Sequence, residues 1–125
     1  MTIIVAKILL VEDEELLRNL YRRKLELANF EVEIAENGRD GLAKARESKP
    51  DLILLDIIMP GLNGIDALKE IKVDPDLKAI PVIMLTNVES IASKEECLGA
   101  GSTGYIIKSS STPSDVLQQV KDILS

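Results

Sequence analysis

The sequence predicts an α/β fold in three layers, with a parallel sheet covered by helices on both faces. Short aliphatic runs alternate with longer amphipathic ones, which gives five strand–helix units. The runs KILLV, DLILL and PVIML lack the apolar–polar alternation of a strand with one wet face, so they suit strands buried on both sides. The 125 residues contain no internal repeat, low-complexity segment or linker, so they are read as one domain over 1–125 with no effector domain.

The elements follow in order. The N-terminus, Met1 to Val11, is apolar and broken by Lys7. It lacks a basic region before the apolar stretch and a small-residue cleavage pattern, so it reads as a strand rather than a signal peptide, with Lys7–Val11 as its buried part. Glu14–Ala28 reads as a helix with Leu16, Leu17, Leu20, Tyr21 and Leu27 on one face and Arg18, Arg22 and Glu26 opposite. Glu31–Ala35 alternates, as an edge strand with one wet side does. Asn37-Gly38 makes a turn, and a helix runs from there to about Ser48. Asp51–Leu55 is a buried strand, and Asp56–Gly64 a loop rich in Pro, Gly and Asn. A helix over about 65–73 places Ile65, Leu68 and Ile71 on one side. Pro81–Leu85 is a strand, and a helix over about 89–98 ends at Gly99 as C-cap. Gly104–Ile107 is the last strand. Thr112-Pro113-Ser114-Asp115 is a helix start with Thr at N-cap, Pro at N1 and Asp at N3. The last helix carries Val116, Leu117, Val120, Ile123 and Leu124 on one stripe.

Composition excludes several functions. Only 2% of residues are aromatic, which leaves little to stack on a flavin or an unpaired base. The net charge of −6 and the lack of a basic run argue against direct nucleic-acid binding. The absence of histidine removes Ser-His-Asp triads and His-based zinc sites. Cys97 is alone, so no internal disulfide forms and nothing points to an oxidising compartment. No stretch is long enough to cross a bilayer, so no membrane role and a cytoplasmic location are expected.

In an open parallel sheet, ligands bind beyond the carboxyl ends of the strands. Glu12 and Asp13 follow the first strand, Asp56 the third, Thr86 the fourth and Lys108 the fifth. Singly, Asp13 reads as a helix cap, Asp56 and Thr86 as turn residues and Lys108 as a solvated surface lysine. Together they form a chemical set. Clustered carboxylates repel one another and favour a hard divalent cation with oxygen ligands, such as Mg2+. A carboxylate attacks phosphorus to give an aspartyl phosphate, while Thr86 and Lys108 stabilise phosphoryl oxygens.

The segments ILLVEDEE, DLILLDIIMPGLNGID, PVIMLTN and GYIIK, in this order and spacing, resemble the receiver domain of two-component response regulators from about Lys7 to the end. The resemblance implies a flavodoxin-like doubly wound sheet of strand order 2-1-3-4-5. It implies Asp56 as phosphoacceptor and Glu12 and Asp13 as the acidic pair. Asp13, Asp56 and the backbone carbonyl of Ile58 would hold Mg2+ or Mn2+. Thr86 matches the switch hydroxyl, Lys108 the family lysine and Tyr105 the aromatic that turns with Thr86. The partners implied are a sensor histidine kinase or histidine phosphotransfer protein, and an output protein or effector domain on the face of the fourth helix, fifth strand and fifth helix. The protein is expected to be a monomer or a phosphorylation-dependent homodimer, and a switch rather than a turnover enzyme. Ile58 and Val88 occupy the positions that flank the approach of hydrolytic water.

Two positions depart from the family pattern. Ser109 stands where Pro, often cis, follows the lysine, and an extra residue precedes Pro113. A cis bond costs about 2.5–4 kcal/mol without proline, so this turn is expected to be trans or unusually held. Asn87 stands where Ala or Gly follows the hydroxyl, and either crowds the phosphoryl path or donates a hydrogen bond. Two alternatives compete with the main reading. A flavodoxin-like cofactor binder needs a Ser/Thr/Gly-rich first loop, and here that loop is acidic. A pseudo-receiver would act as a phosphorylation-independent interaction module.

Overall fold

Leu52–Leu55 is buried at every position and lies in the middle of the sheet, as its uninterrupted aliphatic character requires. The computed structural model describes residues 5–125. Its elements are β1 (Lys7–Val11), α1 (Glu15–Leu27), β2 (Glu31–Ala35), α2 (Gly38–Ser48), β3 (Leu52–Leu55), α3 (Gly64–Val73), β4 (Val82–Thr86), α4 (Ile91–Gly99), β5 (Gly104–Ile107), a single 3-10 turn (Lys108–Ser110) and α5 (Pro113–Leu124). Residues 1–4 of the apolar N-terminal run lie outside the described residues.

All strands pair in parallel, in the order β2-β1-β3-β4-β5. The sequence expectation of an α/β/α sheet in flavodoxin-like order is therefore met. Strand period sorts the side chains into two cores. Leu9, Val11, Ile53, Leu55, Val82 and Met84 meet α2, α3 and α4. Ile8, Leu10, Leu52, Leu54, Ile83 and Leu85 meet α1 and α5. The half-exposed pattern of EVEIA places β2 at an edge, as its alternation predicts.

The helix ends show how side chains satisfy the first N–H groups. Asn37, Asn63, Ser90 and Thr112 each accept the N–H three residues on. At α5 the Asp115 carboxylate also accepts the Thr112 N–H at 2.8 Å, which completes a capping box. Asp13 does not cap α1. Glu14 holds the N-cap position without a side-chain bond, and its N–H goes to Glu12 Oε2 at 3.1 Å. Gly99 is the last residue of α4, with Ala100 at the cap. The left-handed residue is Gly101, at φ 108°.

The face of α1 is the main correction to the sequence reading. Leu16, Leu20 and Leu27 are 75%, 47% and 73% exposed, whereas Arg18 is 7% exposed. Tyr21 and Leu25 enter the core, with Leu17 packed partly against them. A leucine-rich helix offers two apolar stripes, so hydrophobicity alone does not choose the phase. In the observed phase Arg18 is buried and its guanidinium donates to main-chain carbonyls of the first loop.

Candidate functional site

Parallel strands all end at one edge of the sheet, so β1, β3, β4 and β5 deliver Glu12, Asp56, Thr86 and Lys108 to one place. These residues line a single cleft with Asp13, Ile58, Asn87 and Val88. Ligand oxygens of Glu12, Asp13 and Asp56 lie within 4.8 Å of one another. Glu12 and Asp56 are buried, at 1% and 5% exposed, while Asp13 is open to solvent.

Lys108 is the counter-ion of this group. Its ammonium donates to Asp56 Oδ2 at 2.7 Å and contacts Glu12 Oε1. Burial works against the charge of Lys108, but the hydrogen bonds to Asp56 and Glu12 outweigh it and raise the pKa above the usual lysine value. Burial likewise raises Glu12, and bonds from Lys108 and the Glu14 N–H only partly offset that. Two carboxylates thus pair with one ammonium, and Asp13 adds a third carboxylate oxygen close by. Such a set fits a divalent cation of the magnesium type.

The walls of the cleft are built locally. Asp56 Oδ1 accepts the next residue's N–H, from Ile57, at 2.6 Å, which turns the side chain at the strand end. Gly61, at φ 76°, lets the loop reverse after Pro60. Gly64 opens α3 directly against the backbone of Asp56. A Cβ there would lie 1.8 Å from the Asp56 carbonyl oxygen, so any side chain would displace the strand end. Thr86 is fully buried, and its Oγ1 accepts the Val88 N–H at 3.3 Å, leaving the hydroxyl proton available to donate elsewhere. Tyr105 is half-buried, and its hydroxyl donates to the Val88 carbonyl at 2.6 Å. Thr86 and Tyr105 are therefore both tied to Val88.

The structure shows the local geometry at both departures noted in the sequence. There is no cis peptide bond among the described residues, and the turn after Lys108 is trans, as expected for Ser109. Asn87 Oδ1 accepts the Ser109 N–H at 2.9 Å, so this oxygen is an acceptor toward the neighbouring turn.

Arg18, which the sequence places on the polar face of the helix, is buried and serves the site. Its Nη1 donates to the carbonyls of Glu12 at 3.1 Å and Asp13 at 3.4 Å, and its Nη2 pairs with Glu36 at 3.3 Å. It holds the main chain of the acidic pair from below. The sequence signal is an arginine within two turns of the acidic loop.

The fold and the acidic cleft are those of a receiver domain, and receiver domains are signalling switches rather than turnover enzymes. The chain belongs to the response regulator receiver domain family, whose model matches residues 8–121. It is 42% identical over 118 residues to the transcriptional regulatory protein ResD of Bacillus subtilis, covering 94% of this chain and 48% of that protein. The chain thus spans about half the length of that relative. It is 39% identical over 120 residues to the chemotaxis protein CheY of Halobacterium salinarum, covering 95% of this chain and 97% of that protein. The structure of the Vibrio cholerae chemotaxis protein CheY4 superposes with a TM-score of 0.89 at 32% identity, covering 96% of this chain and 99% of that one. Receiver domains bind Mg2+ at an acidic pocket, and response regulators interact with histidine kinases and output effectors. No described helix is long and apolar enough to cross a membrane.

Proposed function

We propose that this domain accepts a phosphoryl group on Asp56 from a histidine kinase or a histidine phosphotransfer protein, and that the adduct alters a partner-binding face. The observation that carries this reading is the ion-paired cluster of Glu12, Asp56 and Lys108 beside Asp13 and Thr86 at one strand edge. In the step, an Asp56 carboxylate oxygen attacks phosphorus. The bond from phosphorus to the donor breaks, and its electron pair leaves with the donor group. Asp13, Asp56 and the Ile58 carbonyl would hold the cation, with Glu12 beside them. A bound divalent cation would supply neutralisation of phosphoryl charge. Lys108 leaves its carboxylate partners to pair with a phosphoryl oxygen, and the Thr86 hydroxyl donates to another. The chain is read as one receiver domain over 1–125 that works in the cytoplasm, as a monomer or a phosphorylation-dependent homodimer. The competing reading is a pseudo-receiver that binds partners without phosphorylation. The buried ammonium already paired with the acceptor carboxylate favours the phosphorylated switch.

Phosphorylation with acetyl phosphate, read by intact mass, tests the acceptor. The wild type is expected to gain one phosphoryl mass that hydroxylamine removes, and Asp56→Asn to gain none, because an amide oxygen is a poor nucleophile. In parallel, Asp13→Ala is expected to remove most Mg2+ binding in a titration and to slow labelling. Full labelling of the Asp56→Asn protein would move the acceptor elsewhere.

A further inference from the structure

The main-chain pairing of β4 with β5 ends at Thr86 and Ile107. The residues just beyond, Asn87 and Lys108, are the next rung, and there the strand gives way to the 3-10 turn. Within that turn, the Ser110 hydroxyl donates back to the Ile107 carbonyl at 3.4 Å and the Ser111 N–H to the Lys108 carbonyl at 3.4 Å. These bonds close the turn on itself and do not tie it to β4. The Asn87 side chain does, because its Oδ1 takes the Ser109 N–H at 2.9 Å. The contact needs an acceptor side chain at 87 and an N–H at 109. A proline at 109 has no N–H to give, and an alanine or glycine at 87 has no side-chain acceptor. The residue types at the two positions are therefore complementary.

The bond joins the residue after Thr86 to the residue after Lys108. Those two side chains line the cleft with Asp56, and the Lys108 ammonium already holds Asp56 Oδ2. Since Oδ1 is engaged by a donor, the Asn87 amide is fixed about its last torsion. We propose that Asn87 is a positioning residue, a side-chain rung that carries the β4–β5 pairing one step past the main-chain ladder and makes the Thr86 and Lys108 loops move as one unit. On this view Asn87 holds the lysine turn in place of a rigid proline. The proposal rests on the reading of Asp56, Thr86 and Lys108 as the phosphoryl site.

The test uses the full chain with Asn87→Leu, which keeps the size but removes the acceptor, and with Asn87→Ala, Asn87→Asp, Ser109→Pro and the Asn87→Leu/Ser109→Pro double variant. The first readout is hydrogen exchange at the Ser109 amide without metal. Asn87→Leu and Asn87→Ala are expected to speed exchange by about 2- to 10-fold, the range of one net hydrogen bond. Asn87→Asp, which keeps an acceptor oxygen of the same shape, is expected to restore protection. The second readout is phosphorylation by acetyl phosphate beside Mg2+ titration. A positioning role slows labelling in Asn87→Leu while Mg2+ affinity stays within about twofold, whereas general loss of structure lowers both. The double variant is expected to be no slower than the slower single variant, because both remove the same bond. Wild-type Ser109 exchange in Asn87→Leu, or labelling defects that multiply in the double variant, would overturn the proposal. If the wild type itself takes no phosphoryl group, the phosphoryl-site reading fails and the positioning role falls with it. A labelled wild type matched in rate by Asn87→Leu sinks the positioning role alone.

Discussion

Ile58 and Val88 both line the cleft, and neither side chain can hold or orient a water. Ile58 is 67% exposed, so its apolar surface is presented to solvent at the rim, while Val88 packs partly on the core. A water attacking an aspartyl phosphate in this cleft would receive no hydrogen bond from either side chain. Slow intrinsic dephosphorylation is the expected result. Ile58→Asn and Val88→Glu are each expected to hasten decay of the phosphorylated protein, by up to about 10²-fold, within the range of general-base and positioning effects. Equal half-lives in all three proteins would mean that these side chains do not gate the water. Lys108 gives a second residue-scale expectation. Its pKa is raised in the fold, so its contribution to stability is fully present below its ordinary value of 10.5 and is lost as pH rises through the higher folded value. The stability gap between wild type and Lys108→Met, followed by urea unfolding from about pH 9 to about pH 12, should therefore narrow only at the alkaline end. A gap that is constant with pH would contradict the buried pairing with Asp56 and Glu12.

At the scale of elements, the face that α1 buries combines the apolar side chains of Tyr21 and Leu25 with the polar contacts of Arg18. Arg18 spans from the helix to the carbonyls of Glu12 and Asp13 and to Glu36 after β2, so it binds the helix to the β1–α1 loop and to the sheet edge. This phase makes the leucines unequal. Leu25→Ala, at a site 1% exposed, is expected to cost about 2–5 kcal/mol in urea unfolding. Leu16→Ser and Leu27→Ser are expected to stay within about 0.5 kcal/mol of the wild type. Large losses at Leu16 or Leu27 would show that the helix turns its other stripe to the core. The helix starts tell a similar story on a smaller scale. Asn37 and Asn63 look like turn residues in the sequence, and each is the cap that opens a helix.

For the whole molecule, the question is how a change at Asp56 reaches a partner. Val88 accepts from Tyr105 and donates to Thr86, and Tyr105 also lies 3.3 Å from the Ser93 hydroxyl on α4. A displacement of Thr86 toward a phosphoryl group would break the Val88 N–H bond and free the loop that the Tyr105 hydroxyl grips. The expected consequence is a two-state rearrangement of the face formed by α4, β5 and α5. Amide NMR shifts on adding a beryllium fluoride phosphoryl mimic should cluster at about 86–99 and 105–117, with the loop around Asp56 shifting as well. Shifts confined to that loop would leave no coupling to the distant face.

The alternation of aliphatic and amphipathic runs was enough to place all five strands within a residue or two and to make the sheet parallel, because strand period and helix period are local properties of the chain. The same alternation led to the cleft, since parallel strands end on one edge and Glu12, Asp56, Thr86 and Lys108 each follow or close one of them. What the tertiary structure decided are the contacts between parts distant in sequence. The Arg18 bonds to the carbonyls of Glu12 and Asp13 belong to a buried face of α1 that also holds Tyr21 and Leu25. The approach of α3 to the Asp56 carbonyl makes Gly64 a steric requirement rather than a loop residue. The Asn87–Ser109 bond spans 22 residues and joins two positions that, read singly, looked like unrelated departures. In each case the contact, whether a hydrogen bond or a steric limit, is with a part of the chain that packing brings near, and no local pattern in the chain encodes that choice.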